Sequence, residues 1–101
     1  MKLKYQPKND GIVIESKPTM KYEDGSFYIG EWMKNSENRH GRGIQIWKDS
    51  SKYTGQWANN LPNGLGKLQK SNGDYYEGNF VNGKANGFGK LYHKNGSIYD
   101  G

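Results

Sequence analysis

Tyr53-Thr54-Gly55-Gln56-Trp57, followed seven residues later by Gly64-Leu65-Gly66, is a frame that this chain writes more than once. Tyr28-Ile29-Gly30-Glu31-Trp32 precedes it and Tyr76-Glu77-Gly78-Asn79-Phe80 follows it, each reading Tyr-x-Gly-x-aromatic. Tyr99-Asp100-Gly101 begins a fourth copy. The glycine pairs Gly41/Gly43, Gly64/Gly66 and Gly87/Gly89 recur every 23 residues, and so do Gly55, Gly78 and Gly101. Gly30 to Gly55 is 25, which places two extra residues between Met33 and His40. An insertion confined to one place marks a loop. A period of this length points to a stack of one supersecondary unit.

Between the units stand Asp24-Gly25-Ser26, Asp49-Ser50-Ser51, Asn72-Gly73-Asp74 and Asn95-Gly96-Ser97. Asp-Gly and Asn-Gly tolerate positive φ at both central positions of a tight hairpin turn. Each unit therefore reads strand, loop, strand, tight turn. Strands are expected near 27–33, 43–47, 52–58, 66–70, 75–81, 89–93 and 98–101. Side chains alternate faces along a strand. Tyr28, Gly30 and Trp32 thus share a face, as do Tyr53, Gly55 and Trp57, and Tyr76, Gly78 and Phe80. Lys52, Thr54, Gln56, Glu77 and Asn79 give the opposite face a largely polar reading. Apolar residues at helical spacing are absent, so the chain is all-β.

A glycine between two aromatics leaves a gap into which a neighbouring ring can lie on bare backbone. Hairpins stacked in this way bury their rings only against neighbours, giving nearly one-dimensional stability and a need for capped ends. Residues 1–26 read as an irregular segment, 1–11, followed by a degenerate capping hairpin. Its strands would be Ile12-Val13-Ile14-Glu15 and 19–23, with Lys17-Pro18 in the turn. The array itself divides at about 27–51, 52–74 and 75–97, with a partial repeat over 98–101. A half-built strand at Tyr99 leaves an edge open. This favours a longer parent protein, or a partner that meets the edge.

Composition agrees with a thin β structure. Of 101 residues only 32% are hydrophobic, and the mean hydropathy is −1.11. Eight tyrosines, three tryptophans and three phenylalanines supply the buriable area, since each ring buries much and Tyr and Trp tolerate a wet edge. There are no cysteines, which removes disulfides, thiol nucleophiles and thiolate zinc sites. No apolar run approaches the roughly 20 residues of a membrane span, and the start lacks a signal-peptide core. A cytoplasmic location is expected.

The repeated motif resembles the MORN repeat: Tyr-x-Gly-x-Trp, then Asn-Gly, then His-Gly-x-Gly, then Asp-Gly. Tyr28, Gly30, Trp32, Asn35, His40, Gly41 and Gly43 match one unit. Tyr53, Gly55, Trp57, Asn60, Gly64 and Gly66 match a second, and Tyr76, Gly78, Phe80, Asn82-Gly83, Gly87 and Gly89 a third. The departures are the two-residue insertion, Phe80 for Trp, and Asn63 and Asn86 where His40 stands. The resemblance implies an elongated, twisted, single-layer antiparallel sheet with an aromatic groove. It also implies a scaffold for protein contacts, homodimers and cytoskeletal or ciliary assemblies, or an extension of a lipid kinase or methyltransferase. Phospholipid binding is associated with such repeats.

Catalytic chemistry finds no foothold in the sequence. His40 and His93 are the only histidines, and no carboxylate cluster or metal-ligand spacing accompanies them. No Gly-x-Ser-x-Gly is present. Gly78 to Ala85 has Walker A spacing but ends in Ala and has no following helix. No cofactor or metal is expected. The charge of +5 lies mostly in the repeats and favours an anionic partner or simply a solvated surface. Nucleic acid is disfavoured, because the rings are committed to the sheet and cations alternate with acids. The leading expectation is a non-catalytic scaffold that binds a protein, or a second copy, through a groove at Tyr28, Trp32, Tyr53, Trp57, Tyr76 and Phe80. The alternative is a module for anionic phospholipids using Lys67, Lys70, Lys84, Lys90 and Lys94, each worth roughly 1 kcal/mol near a charged surface.

Overall fold

Each Tyr-x-Gly-x-aromatic segment forms a strand, and each Gly-x-Gly segment returns beside it. A computed structural model describes residues 12–100, which contain no helix among them. The strands are β1 (Ile14–Ser16), β2 (Met20–Lys21), β3 (Phe27–Met33), β4 (Arg39–Ile46), β5 (Lys52–Ala58), β6 (Leu61–Gln69), β7 (Tyr75–Val81), β8 (Lys84–Tyr92) and β9 (Ile98–Asp100). They make one open antiparallel sheet in the order β1-β3-β4-β5-β6-β7-β8-β9, with β2 also on β3. The principal extents are 43 × 35 × 21 Å. The expected single-layer hairpin array is what the chain builds.

Two expectations need correction. The return strands start earlier than 43, 66 and 89, because pairing extends almost to the hairpin ends: Ala58 pairs with Leu61, and Val81 with Lys84. Only two residues are left to turn, Asn59-Asn60 and Asn82-Gly83, all with positive φ. The two-residue insertion does fall in a loop, over 34–38. At the start of the array, no hairpin forms before β3 among the described residues. Glu15 pairs with Trp32 and Met20 with Tyr28, so β1 and β2 are two pieces of one edge strand along β3. Pro18 lies in the break between them, as expected of a residue that cannot donate to a ladder. The expected irregular segment 1–11 lies outside the described residues.

Glycine sets the packing. Gly30, Gly43, Gly55, Gly66, Gly78 and Gly89 face one another across successive strands as one line of bare backbone. A Cβ built on Gly43, Gly66 or Gly89 would collide with the hydroxyl end of Tyr28, Tyr53 or Tyr76 respectively. Each tyrosine therefore lies across a glycine of the return strand. Its hydroxyl donates to the carbonyl of Glu31 (2.7 Å), Gln56 (2.8 Å) or Asn79 (3.2 Å). Those carbonyls belong to bulges, where the register slips between Gly30 and Trp32, Gly55 and Trp57, and Gly78 and Phe80. A bulge leaves ladder groups unpaired. The bulged side chain answers this: Glu31 Oε1 accepts the Arg42 N–H at 2.7 Å, and Gln56 Oε1 the Leu65 N–H at 2.6 Å. Asn79, one methylene shorter, makes no such bond to Phe88 among the described contacts. The residue before the second aromatic thus has a task that its variable appearance in the sequence conceals.

Gly66→Ala should destabilise the array by roughly 1–3 kcal/mol, because the new methyl displaces Tyr53 and breaks its hydroxyl bond. Asn79→Gln should do the opposite. Reaching Phe88, it should raise stability by about 0.5–1 kcal/mol in chemical denaturation and slow exchange of the Phe88 amide.

Candidate functional site

The rings expected to line a groove are placed inside. Tyr28, Trp32, Tyr53, Trp57 and Phe80 form the buried core, and Tyr76 packs against them. They join in one edge-to-face chain running Trp32, Tyr28, Trp57, Tyr53, Phe80, Tyr76, with centroids 4.9–5.3 Å apart. Burial pushes the Tyr28 and Tyr53 phenols far above their ordinary ionisation range. Trp57 Nε1 donates to the Gly43 carbonyl at 3.1 Å. The corresponding position for Trp32 is Pro18, in the break of the edge strand, and Trp32 Nε1 has no partner among the described residues. Lys17 covers that ring instead, with its ammonium 4.8 Å from the centroid and bonded to the Ser36 carbonyl. Five of the six rings are closed off in this way and hold the sheet, while Tyr76 is only partly buried.

The other face is where apolar groups stay open, and the sequence reading of it as largely polar needs correction. One row across the strands is Phe27, Ile46, Lys52, Gln69, Tyr75, Tyr92. The next is Ile29, Ile44, Thr54, Lys67, Glu77, Lys90. Beyond the glycine line stand Glu31, Arg42, Gln56, Leu65 and Asn79. The backbone of the glycine line floors a groove between these rows. It measures about 500 Å³ and is walled by Ile29, Ile44 and Thr54 on one side and by Arg42, Gln56 and Leu65 on the other. Leu65 is 61% exposed and Ile29 43%. Polar residues on β5 and β7 masked this patch in the sequence; the alternation from Phe27 and Ile29 through Ile44 and Ile46 was its visible signal.

The five lysines proposed for lipid are divided by the fold. Lys67 and Lys90 share the groove face but flank Glu77 in the same row. Lys70 and Lys94 sit at the tight-turn side, where Lys94 donates its backbone N–H to Asp74 and its stem lies over Gly73. Lys84 is at the opposite, loop side, paired with Val81. They form no single patch.

Of the titratable candidates, His93 stands in a surface depression with Asp74, its Nδ1 3.4 Å from Oδ2. The Lys94 N–H, more than His93, holds the Asp74 carboxyl below its usual range. His40 is 3% exposed, its Nδ1 accepts the Asn59 N–H, and burial lowers its pKa. No group of three potential metal ligands exists among the described residues. Arg39 is the one functional-looking group that the motif reading missed. Its guanidinium lies 4.6 Å from the centroid of Trp57 and donates to Gln45 Oε1, Asn60 Oδ1 and the Asn60 carbonyl. Burial weakens its hold on the proton, opposed by Tyr22 and Tyr28. These three bonds tie its guanidinium to the fold as a strut.

Compared with known families, the chain matches the model for the MORN repeat at three consecutive places, residues 28–52, 53–75 and 76–98. No curated protein matches it as a relative. The three matched units align Arg39 with Pro62 and Ala85, and Gln45 with Leu68 and Leu91. The first unit therefore substitutes a hydrogen-bonded polar pair for an apolar one. Gln45 is 2% exposed, so Arg39→Ala leaves its amide oxygen without the donor and should cost about 1–3 kcal/mol. Adding Gln45→Leu should recover most of that loss in thermal or denaturant unfolding, since the paired change recreates the pattern of the later units.

Proposed function

The chain belongs to the MORN-repeat family, and we propose that it serves as a non-catalytic interaction module receiving a protein segment on its groove-bearing face. MORN repeats are present in three consecutive copies, and such modules generally take part in protein or membrane interactions. The observation that carries the protein reading is the uncovered apolar groove at Ile29, Ile44, Thr54 and Leu65. Contiguous exposed apolar surface edged by polar groups marks an interaction site. The rows on this face carry Arg42, Lys52, Lys67 and Lys90 against Glu31 and Glu77. That excess of cations favours a segment with apolar anchors and acidic flanks. A cytoplasmic setting and a place in a cytoskeletal or ciliary assembly belong to the same proposal. The five lysines that would serve lipid binding instead, Lys67, Lys70, Lys84, Lys90 and Lys94, lie in three separate parts of the sheet.

Leu65→Glu tests the reading. Leu65 is largely exposed, so the melting temperature should stay within a few degrees while affinity for the protein partner falls at least about tenfold. Sedimentation with anionic vesicles supplies the other arm. Salt-sensitive binding that Lys67→Glu with Lys90→Glu abolishes, with no effect of Leu65→Glu on any partner, would replace this proposal with the membrane one.

A further inference from the structure

Two side chains perform one task in successive repeats. His40 Nδ1 accepts the Asn59 N–H at 3.1 Å, and Asn63 Oδ1 accepts the Asn82 N–H at 3.0 Å. His40 and Asn63 are equivalent positions 23 residues apart, and Asn59 and Asn82 are equivalent too. Each pair clasps a return strand to the two-residue turn of the following hairpin. Those turns hold positive φ at asparagine, 51° at Asn59 and 49° at Asn82, a conformation that few residues other than glycine and asparagine adopt readily. The two clasps differ in one chemical respect. An amide oxygen accepts at any pH, whereas an imidazole nitrogen accepts only while it is unprotonated.

We propose that His40 is a proton-sensitive latch between the first and second repeats. In its neutral form it closes the Asn59-Asn60 turn onto β4, and on protonation it releases that turn, while Asn63 keeps the next joint closed. The closed site has no place for the imidazolium. A proton on Nδ1 would point at the Asn59 N–H it now accepts. His40 Nε2 is buried with no partner among the described residues, so it gains nothing from added charge. The surrounding charged groups are already engaged or lie in water. Glu31 on β3 accepts the Arg42 N–H, and Arg39 is held by Gln45 and Asn60. Glu37 and Lys34 are exposed in the preceding loop, and the turn over 58–61 carries no charged side chain. Burial accordingly depresses the folded pKa of His40 below the ordinary value of 6.5. The released state binds the proton more readily, so the latch is fully closed above that value and weakens as pH falls below it. Release also reaches Arg39, because the same turn supplies both acceptors from Asn60.

Amide hydrogen exchange read by NMR, corrected for the intrinsic pH dependence of exchange, tests this in the intact chain. Between about pH 8 and about pH 5, protection of the Asn59 amide should fall relative to that of Asn82, by up to about thirtyfold. His40→Asn, which copies the second clasp, should remove the difference. Parallel loss at Asn59 and Asn82, or a difference that persists in His40→Asn, overturns the proposal. Should that variant fail to fold, the comparison of the two amides in the unaltered chain decides alone.

Discussion

A tyrosine ring resting on a glycine of the next strand is the contact on which this sheet depends. The absent Cβ lets the ring approach the backbone, and that approach brings the hydroxyl to the bulge carbonyl of its own strand. The bulge in turn directs the following Trp or Phe into the row of rings. None of the three parts stands without the others. The glycine gives the tyrosine its seat, the tyrosine satisfies the bulge, and the bulge aims the next aromatic at the preceding repeat. Six rings can then close an edge-to-face chain in a molecule with too few aliphatic residues for a thick core.

This arrangement divides labour between the two faces. All six of these rings point to one side, where they hold neighbouring repeats together. The other side keeps a groove floored by the same backbone, between the row of Ile29, Ile44 and Thr54 and the row of Arg42, Gln56 and Leu65. The wall of Ile29, Ile44 and Thr54 carries no part of the ring chain or the bulge, and it changes from repeat to repeat. Ile29 and Ile44 become Lys67 and Glu77 further along the same two-residue-wide track.

Much of the architecture was legible. Repeated Tyr-x-Gly-x-aromatic spacing named the strands and the face of the rings, and Asp-Gly and Asn-Gly named the turns. Burial of those rings, however, is a property of their neighbours across the sheet, and a single strand pattern cannot distinguish a packed row from an open groove. The groove face was hidden for a related reason. Its apolar residues, Ile29 on β3, Ile44 on β4 and Leu65 on β6, stand 15 and then 21 positions apart in sequence, and only register aligns them. Arg39 escaped notice because its partners, Gln45 and Asn60, lie in two different repeats. The edge strand misled for the opposite reason. Lys17-Pro18 looked like a turn, yet Pro18 only interrupts pairing with β3 and does not reverse the chain.

The Arg39 strut has a consequence for how such an array can grow. Its main acceptor, Asn60, is supplied by the following unit, and the equivalent position one unit later is Gly83. The first unit consequently demands a particular successor, whereas the second, with Pro62 and Leu68, makes no such demand. Units of this chain are not interchangeable copies. Gene duplication could lengthen it freely behind the second unit, but inserting a unit without that asparagine directly after the first would strand a half-buried cation. The order of the repeats is thus written into their chemistry as a grammar, with one word that must be followed by another.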